Sequence, residues 1–245
     1  TVESGDAELT VRADGALADS IAEMSKADQE DALETLHGNK SHISYISHLA
    51  WMICGYKSVG GDDRYDAVLS KLCETMNRRI LSSPSLNIPT YPGESIYVPD
   101  MLVAIVALKQ YSQMTGGRYS STVDKWIAKA QGEWMEEESG LLVSFLGADG
   151  TQYTDAPVKG SYSALNCYYL TLIDPTFANE QYRLLKKHLW RDNFIPGLCE
   201  YKEWTPVFGL DVDAGPLVFG LSPSGTAFLT GSATYFEDSA TRAHL

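Results

Sequence analysis

Four stretches of this chain gather acids, aromatic rings and histidine within a few residues of one another. Tyr91-Pro-Gly-Glu-Ser-Ile-Tyr-Val-Pro-Asp100 sets Glu94 and Asp100 beside Tyr91 and Tyr97, and the stretch from Tyr153 to Tyr162 carries Asp155 and Lys159. Cys199-Glu-Tyr-Lys-Glu-Trp204 holds Glu200 and leads on to Asp211 and Asp213, while Gly38 to His42 ends in a histidine with Tyr45 and His48 just beyond it. Carboxyl groups in pairs can cleave a glycosidic bond: one protonates the leaving oxygen, the other attacks or activates water. Trp and Tyr faces supply the stacking surface that the apolar side of a sugar ring needs. The expected catalytic pair is one of Glu94 or Asp100 with one of Asp211 or Asp213. His42, Tyr91, Tyr97, Asp155, Tyr162, Glu200 and Trp204 are the expected substrate contacts. Plain structural roles compete for some of these: Asp100 can charge the first turn of a helix, and Asp211 and Asp213 can cap one.

Other chemistries find less in the sequence. His42 and His48 are six residues apart, on different faces of a helix, and do not form the i, i+4 spacing of a helical metal site, so no metal and no cofactor is expected. Gly220-Leu-Ser-Pro-Ser-Gly225 has no following Lys and is not a phosphate loop. Ser222 and Ser224 lack the strand-turn-helix setting of a nucleophile elbow. Cys54, Cys73, Cys167 and Cys199 make no C-x-x-C pair; the first three fall on apolar helical faces as inert thiols, and Cys199 falls in a loop.

The elements that must position these groups repeat. An apolar run ends in a short turn, and an amphipathic run with a tyrosine near its start follows: Leu49 to Tyr56, Gly60-Gly61, Tyr65 to Leu72; then Met101 to Tyr111, Gly116-Gly117, Tyr119 to Ile127; then Ala164 to Leu172, Asp174-Pro175, Tyr182 to Leu189. Tyr65, Tyr119 and Tyr182 are 54 and 63 residues apart, too irregular for a short solenoid repeat but suited to stacked helical hairpins. Helices are expected over 41–57, 62–81, 97–114, 120–138, 161–173, 176–190 and 222–235. The first of each pair is apolar on most faces and must be buried; the second divides cleanly into apolar and charged halves and faces water. Long connections, 82–96, 139–160 and 191–215, join each outer helix to the next inner one, and loops of that length usually carry function. Short strand patterns at 141–145 with 151–153, and at 207–210, predict small β-hairpins there. Residues 1–16 read as a polar arm and 17–36 as an amphipathic outer helix, so the chain is expected to be an arm followed by a single domain over 17–245.

The totals limit the partners. The chain has 245 residues, 44% of them hydrophobic, and 19 Lys and Arg against 32 Asp and Glu give a net charge of −13. Such a field repels nucleic acid, and no apolar run approaches the ~20 residues that span a bilayer. A neutral small molecule or glycan is the expected ligand. Because the sequence opens on Thr1, an upstream piece that carried a secretion signal or lipid anchor is expected, and with it an extracytoplasmic location.

Alternating inner and outer helices with long acid- and aromatic-bearing loops at one end resemble the α/α-toroid, the six-hairpin glycosidase-like architecture. The units at 49–72, 101–127 and 164–189 carry the likeness, with the Asp211-Val-Asp-Ala-Gly-Pro216 turn into a small-residue helix. The resemblance implies an all-α ring with small β-hairpins on one face, whose long loops share a rim around a ligand-binding funnel. About four and a half hairpins are present where six close a ring, so either the ring is incomplete or its missing part lies on another stretch of polypeptide, a second copy or an additional chain. Three functions fit such a ring: a glycoside hydrolase-like or polysaccharide-processing enzyme, a non-catalytic glycan-binding toroid, and a small-molecule lyase or isomerase that enlists Cys199 with a histidine.

Overall fold

The computed structural model describes residues 15–16, 18–22, 42–90, 93–153, 157–192, 194–205 and 208–245. Among the described residues four inner helices, α1 (Ile43–Ser58), α3 (Val98–Met114), α5 (Gly160–Thr171) and α7 (Pro223–Tyr235), alternate with four outer ones, α2 (Asp66–Ser82), α4 (Ser120–Glu133), α6 (Pro175–His188) and the short α8 (Ser239–Arg242). Composition dictates which layer each joins. α3 is unbroken apolar sequence from Met101 to Leu108, all of it buried, and only a site covered on several sides accepts such a helix. α6 buries Phe177, Ala178, Gln181, Tyr182 and Leu185, one stripe at i, i+4 and i+8, and leaves its lysines outward.

The inner helices pack in sequence, α1 on α3, α3 on α5, α5 on α7, and each outer helix packs on the inner helix before it. No substantial packing joins α1 to α7 among the described elements, so the row is an open arc of α/α-toroid hairpins. Residues 15–16, the end of the expected arm, and 18–22 are helical, with Ile21 fully buried in the larger of two apolar clusters; the rest of the expected arm and first helix, with the expected cap Ser41, lies outside the described residues. The larger cluster runs among α1 to α4 and reaches Tyr169 and Leu170 of α5 and Phe177 and Ala178 of α6, and Trp126 within it donates its indole N–H to Asn87 Oδ1 at 3.0 Å. The smaller cluster lies among α5, α6 and α7.

Local chemistry ends and starts these helices at the expected turns. Asp174 accepts from the backbone N–H groups of Thr176 and Phe177 at 3.0 and 3.1 Å, with Pro175 in the first turn of α6. Such a cap is worth about 1 kcal/mol. Gly116 and Gly117 turn the chain from α3 to α4 at φ +68° and +94°, a region that costs any other residue a Cβ clash. α4 stops at Glu133, short of the expected Glu138. Beyond it the backbone is drawn into tertiary bonds, with the Trp134 carbonyl accepting from Val143 N–H and Glu136 N–H donating to the Leu141 carbonyl.

Among the described residues three two-stranded antiparallel pairs decorate the loops: β1 (Ile96–Tyr97) with β2 (Phe145–Leu146), β3 (Trp190–Arg191) with β4 (Gly197–Leu198), and β5 (Gly209–Asp211) with β6 (Gly215–Leu217). The partners differ from expectation. Phe145 pairs with Tyr97, not with the segment 151–153, from which only Gln152 bridges to Leu146. The expected 207–210 strand begins at Gly209, with Val207 outside the described residues, and forms the expected small hairpin with β6.

Candidate functional site

α1, α3 and α5 present their N-terminal turns to one cavity of about 350 Å³. α1 contributes Ser44 and His48, α3 contributes Pro99, Asp100 and Val103, and α5 contributes Tyr162, Leu165 and Tyr169, with Thr90 and Tyr97 from the connection ahead of α3. Tyr162, Leu165 and Tyr169 fall on one helical face by their spacing of three and four. Helix N-termini favour negative charge, and the one acid in this lining stands in the first turn of α3.

That acid, Asp100, does not cap its helix. Its Oδ2 accepts from Thr90 Oγ1 at 2.9 Å, and Ser44 also donates to it. Burial pushes the Asp100 carboxyl above the ordinary carboxylate range; the two hydroxyls and the nearby His48 only partly oppose this. Nδ1 of His48 lies 2.6 Å from the Ser44 carbonyl. A carbonyl only accepts, so Nδ1 carries the hydrogen, and the basic nitrogen of the neutral ring is Nε2. His42 stands at the N-cap of α1, exposed and outside the cavity lining, with its Nδ1 3.3 Å from the Thr90 carbonyl.

Tyr97 and Tyr162 form the wall between this cavity and a second cluster. With Phe145 they make an aromatic trio whose centroids are 5.0 to 6.1 Å apart. Behind them Lys159 Nζ lies 2.6 Å from Asp211 Oδ1 and 2.5 Å from Asp213 Oδ2, and 5.6 Å from the centre of the Tyr162 ring. The Lys159 side chain is 7% exposed. Burial works against its charge, but the two aspartates outweigh it and hold the ammonium above its ordinary range. Asp213 also hydrogen-bonds Tyr162; burial first and that carboxylate second push the phenol up. Tyr97 is raised by the same two influences.

Asp211 is fully engaged. Besides Lys159 it accepts from Tyr201 Oη at 2.5 Å and from the backbone N–H groups of Asp213 and Ala214 at 2.9 and 2.8 Å. Burial raises its pKa, yet these donors prevail and hold it at about 2. The cap of α7 is Ser222, not either aspartate. Glu200 is wholly buried and faces the N-terminus of α5, accepting from Ser161 N–H and Oγ at 3.1 and 2.8 Å. Beside it Gly160 is obligatory, since a Cβ there would sit 1.9 Å from the Cys199 carbonyl oxygen.

The structure thus brings Asp100, Tyr97 and Tyr162 together in the cavity and sets Asp213 directly behind its tyrosine wall. Glu94 is exposed on a bend outside the lining, and Trp204 is 43% exposed with its indole N–H bonded to the Phe219 carbonyl at 2.8 Å. Tyr91 and Asp155 lie outside the described residues. Ser44, Thr90 and Tyr169 had not been singled out; only Tyr169 left a trace, seven residues after Tyr162 on the same helical face. Cys199 is buried, and burial pushes its thiol up. Among the described residues no group of three or more His, Cys, Asp or Glu is placed to hold a metal ion, and no helix is long and apolar enough to cross a membrane.

No family model matches the sequence, and no curated protein matches it. The fold is similar to a solved structure, the crystal structure of D-mannose isomerase, at a TM-score of 0.56 and 11% identity over 82% of this chain and 73% of that one. At that identity the likeness speaks for the arrangement of helices alone.

Proposed function

We propose that this chain is a carbohydrate-processing enzyme that transfers protons on a small neutral sugar, with Asp100 and His48 as its acid and base. The observation that carries this reading is the pairing, in one cavity walled by three tyrosines, of a carboxyl raised by burial with a histidine whose free nitrogen is fixed as Nε2. A raised carboxyl keeps its proton to higher pH and suits the donor; Nε2 suits the acceptor. Tyr97, Tyr162 and Tyr169 offer ring faces to sugar C–H groups and hydroxyls to its oxygens. A volume of about 350 Å³ stands at the lower end for small-molecule sites, which favours one or two sugar units over a polymer. The likeness to a sugar isomerase supports the substrate class.

A glycoside hydrolase-like reading has an observation of its own. Asp100 and Asp213 both act on Tyr97 and Tyr162, so they flank the same pair of rings, one as acid and the other as second carboxylate. Asp211 is too heavily bonded for either role.

Incubation with a panel of monosaccharides and short oligosaccharides, followed by NMR, tests both. Interconverted monosaccharides, with turnover lowered on the order of 100-fold by Asp100→Asn and by His48→Gln, are expected. New reducing ends that vanish with Asp213→Asn but survive His48→Gln would replace this reading with the hydrolase. Binding without any product would leave a glycan-binding protein and sink both.

A further inference from the structure

A second cavity, of about 360 Å³, opens further along the same faces of α1 and α3, toward their C-terminal ends. Ser44, His48, Trp51, Gly55 and Ser58 form one stripe of α1 by their spacing of four and three; the first two line the cavity already described and the last three line this one. α3 continues in the same way from Asp100 and Val103 to Gln110 and Met114, with Gln113 beside them. Trp51 marks the border, its ring centre 5.7 Å from that of Tyr169 and nearly perpendicular to it. A T-shaped contact covers at most one of the two faces of a ring.

Three observations give this cavity a chemistry. No lining residue carries a charge: the thiol of Cys54 is the one group there that titrates, and burial pushes it up to about 12. Among the described residues the Gln110 and Gln113 amides and the Trp51 indole N–H bond to no protein group. Gly55 stands in mid-helix, where glycine costs stability, yet a Cβ there would meet nothing within 4 Å. Packing does not require this glycine; its missing side chain leaves the cavity open.

We infer that this cavity binds a neutral polyhydroxylated molecule, a sugar or polyol, at a site separate from Asp100 and His48. A lining without charge selects neither a cation nor an anion, since neither would find a counter-charge to offset its lost hydration. An amide carries both donor and acceptor and so matches a hydroxyl, which is both. A free face of Trp51 and the Met114 thioether suit the C–H surface between hydroxyls. The site does not depend on catalysis in the first cavity: absence of turnover there sinks that reading and leaves this one.

Heteronuclear NMR reads the site at its own side chains. On titration with D-glucose, D-mannose and sorbitol, the Gln110 and Gln113 amide and Trp51 indole signals, assigned by Gln110→Leu, Gln113→Leu and Trp51→Phe, are expected to shift and saturate with at least one probe. The affinity is expected to be the same at about pH 5 and about pH 8, because nothing in the lining titrates between them. Gly55→Leu puts a side chain into the cavity while keeping a good helix former, and is expected to weaken this binding ~10-fold or more at unchanged far-UV circular dichroism. Gln110→Leu with Gln113→Leu does the same should that variant misfold. Tetramethylammonium chloride and sodium acetate, the charged probes, are expected to leave the three signals in place. No shift with any neutral probe, binding indifferent to both variants, or a stronger response to a charged probe overturns the inference.

Discussion

Two aspartates on the same rim show how surroundings divide one side chain into two behaviours. Asp211, with four donors, is held at about 2 against an ordinary value of 3.8, so its contribution to stability is full above 3.8 and is lost as pH falls toward 2. That shift corresponds to about 2 kcal/mol. Asp100 is displaced in the other direction, so stability falls as pH rises from the ordinary carboxylate value of 3.8 toward its raised folded value, and the loss is complete above that. The isosteric variants therefore diverge: in urea denaturation at about pH 7, Asp211→Asn is expected to unfold earlier than the parent and Asp100→Asn later. Asp211→Asn also flattens the loss of stability between about pH 4 and about pH 2. Equal effects of the two variants at neutral pH would show that the cavity does not strain its acid.

The helices were legible in the sequence because each carries its own evidence. An apolar run such as Met101 to Leu108 declares a buried helix, and the divided faces of 62–81 and 176–190 declare outer ones. The strands were legible in part: the pattern at 207–210 marked the hairpin at Gly209–Asp211, whereas the pairing of Ile96 with Leu146, fifty residues apart, leaves no local period. The site was half legible. Asp100, Tyr97 and Tyr162 announced themselves by standing at inner-helix N-termini, whereas the four-donor cage of Asp211 and the inward turn of Glu200 depend on Lys159, Tyr201 and Ser161, which only the fold brings near. Two helical glycines make the same point about context. Gly55 in α1 has open space where a Cβ would go, so Gly55→Ala should raise stability by ~1 kcal/mol through helix propensity. At Gly160 the obstacle is backbone that cannot swing away, and Gly160→Ala should cost ~3 kcal/mol or more and separate α5 from Cys199. Urea melts of the pair measure both, and a tolerated alanine at 160 would refute the close approach.

For the molecule as a whole, stability follows position in the arc. α3 is enclosed by α1, α5 and α4 and buries nearly its full length, while α7 has an inner neighbour on one side only. Hydrogen exchange should therefore be slowest along α3 and faster along α7 and α8, and the reverse order would mean that the arc's two ends are not its weak points. The β1–β2 pair has a consequence for the cavity's wall. It ties the connection ahead of α3 to the one that follows α4, with Tyr97 against Phe145 and Val98 N–H on the Ser144 carbonyl at 3.1 Å. The tie pins Tyr97 by its own backbone, and Tyr162 leans on both Tyr97 and Phe145. That side of the cavity is therefore held by main-chain hydrogen bonds, and its aromatic wall can move only if the β1–β2 pair opens.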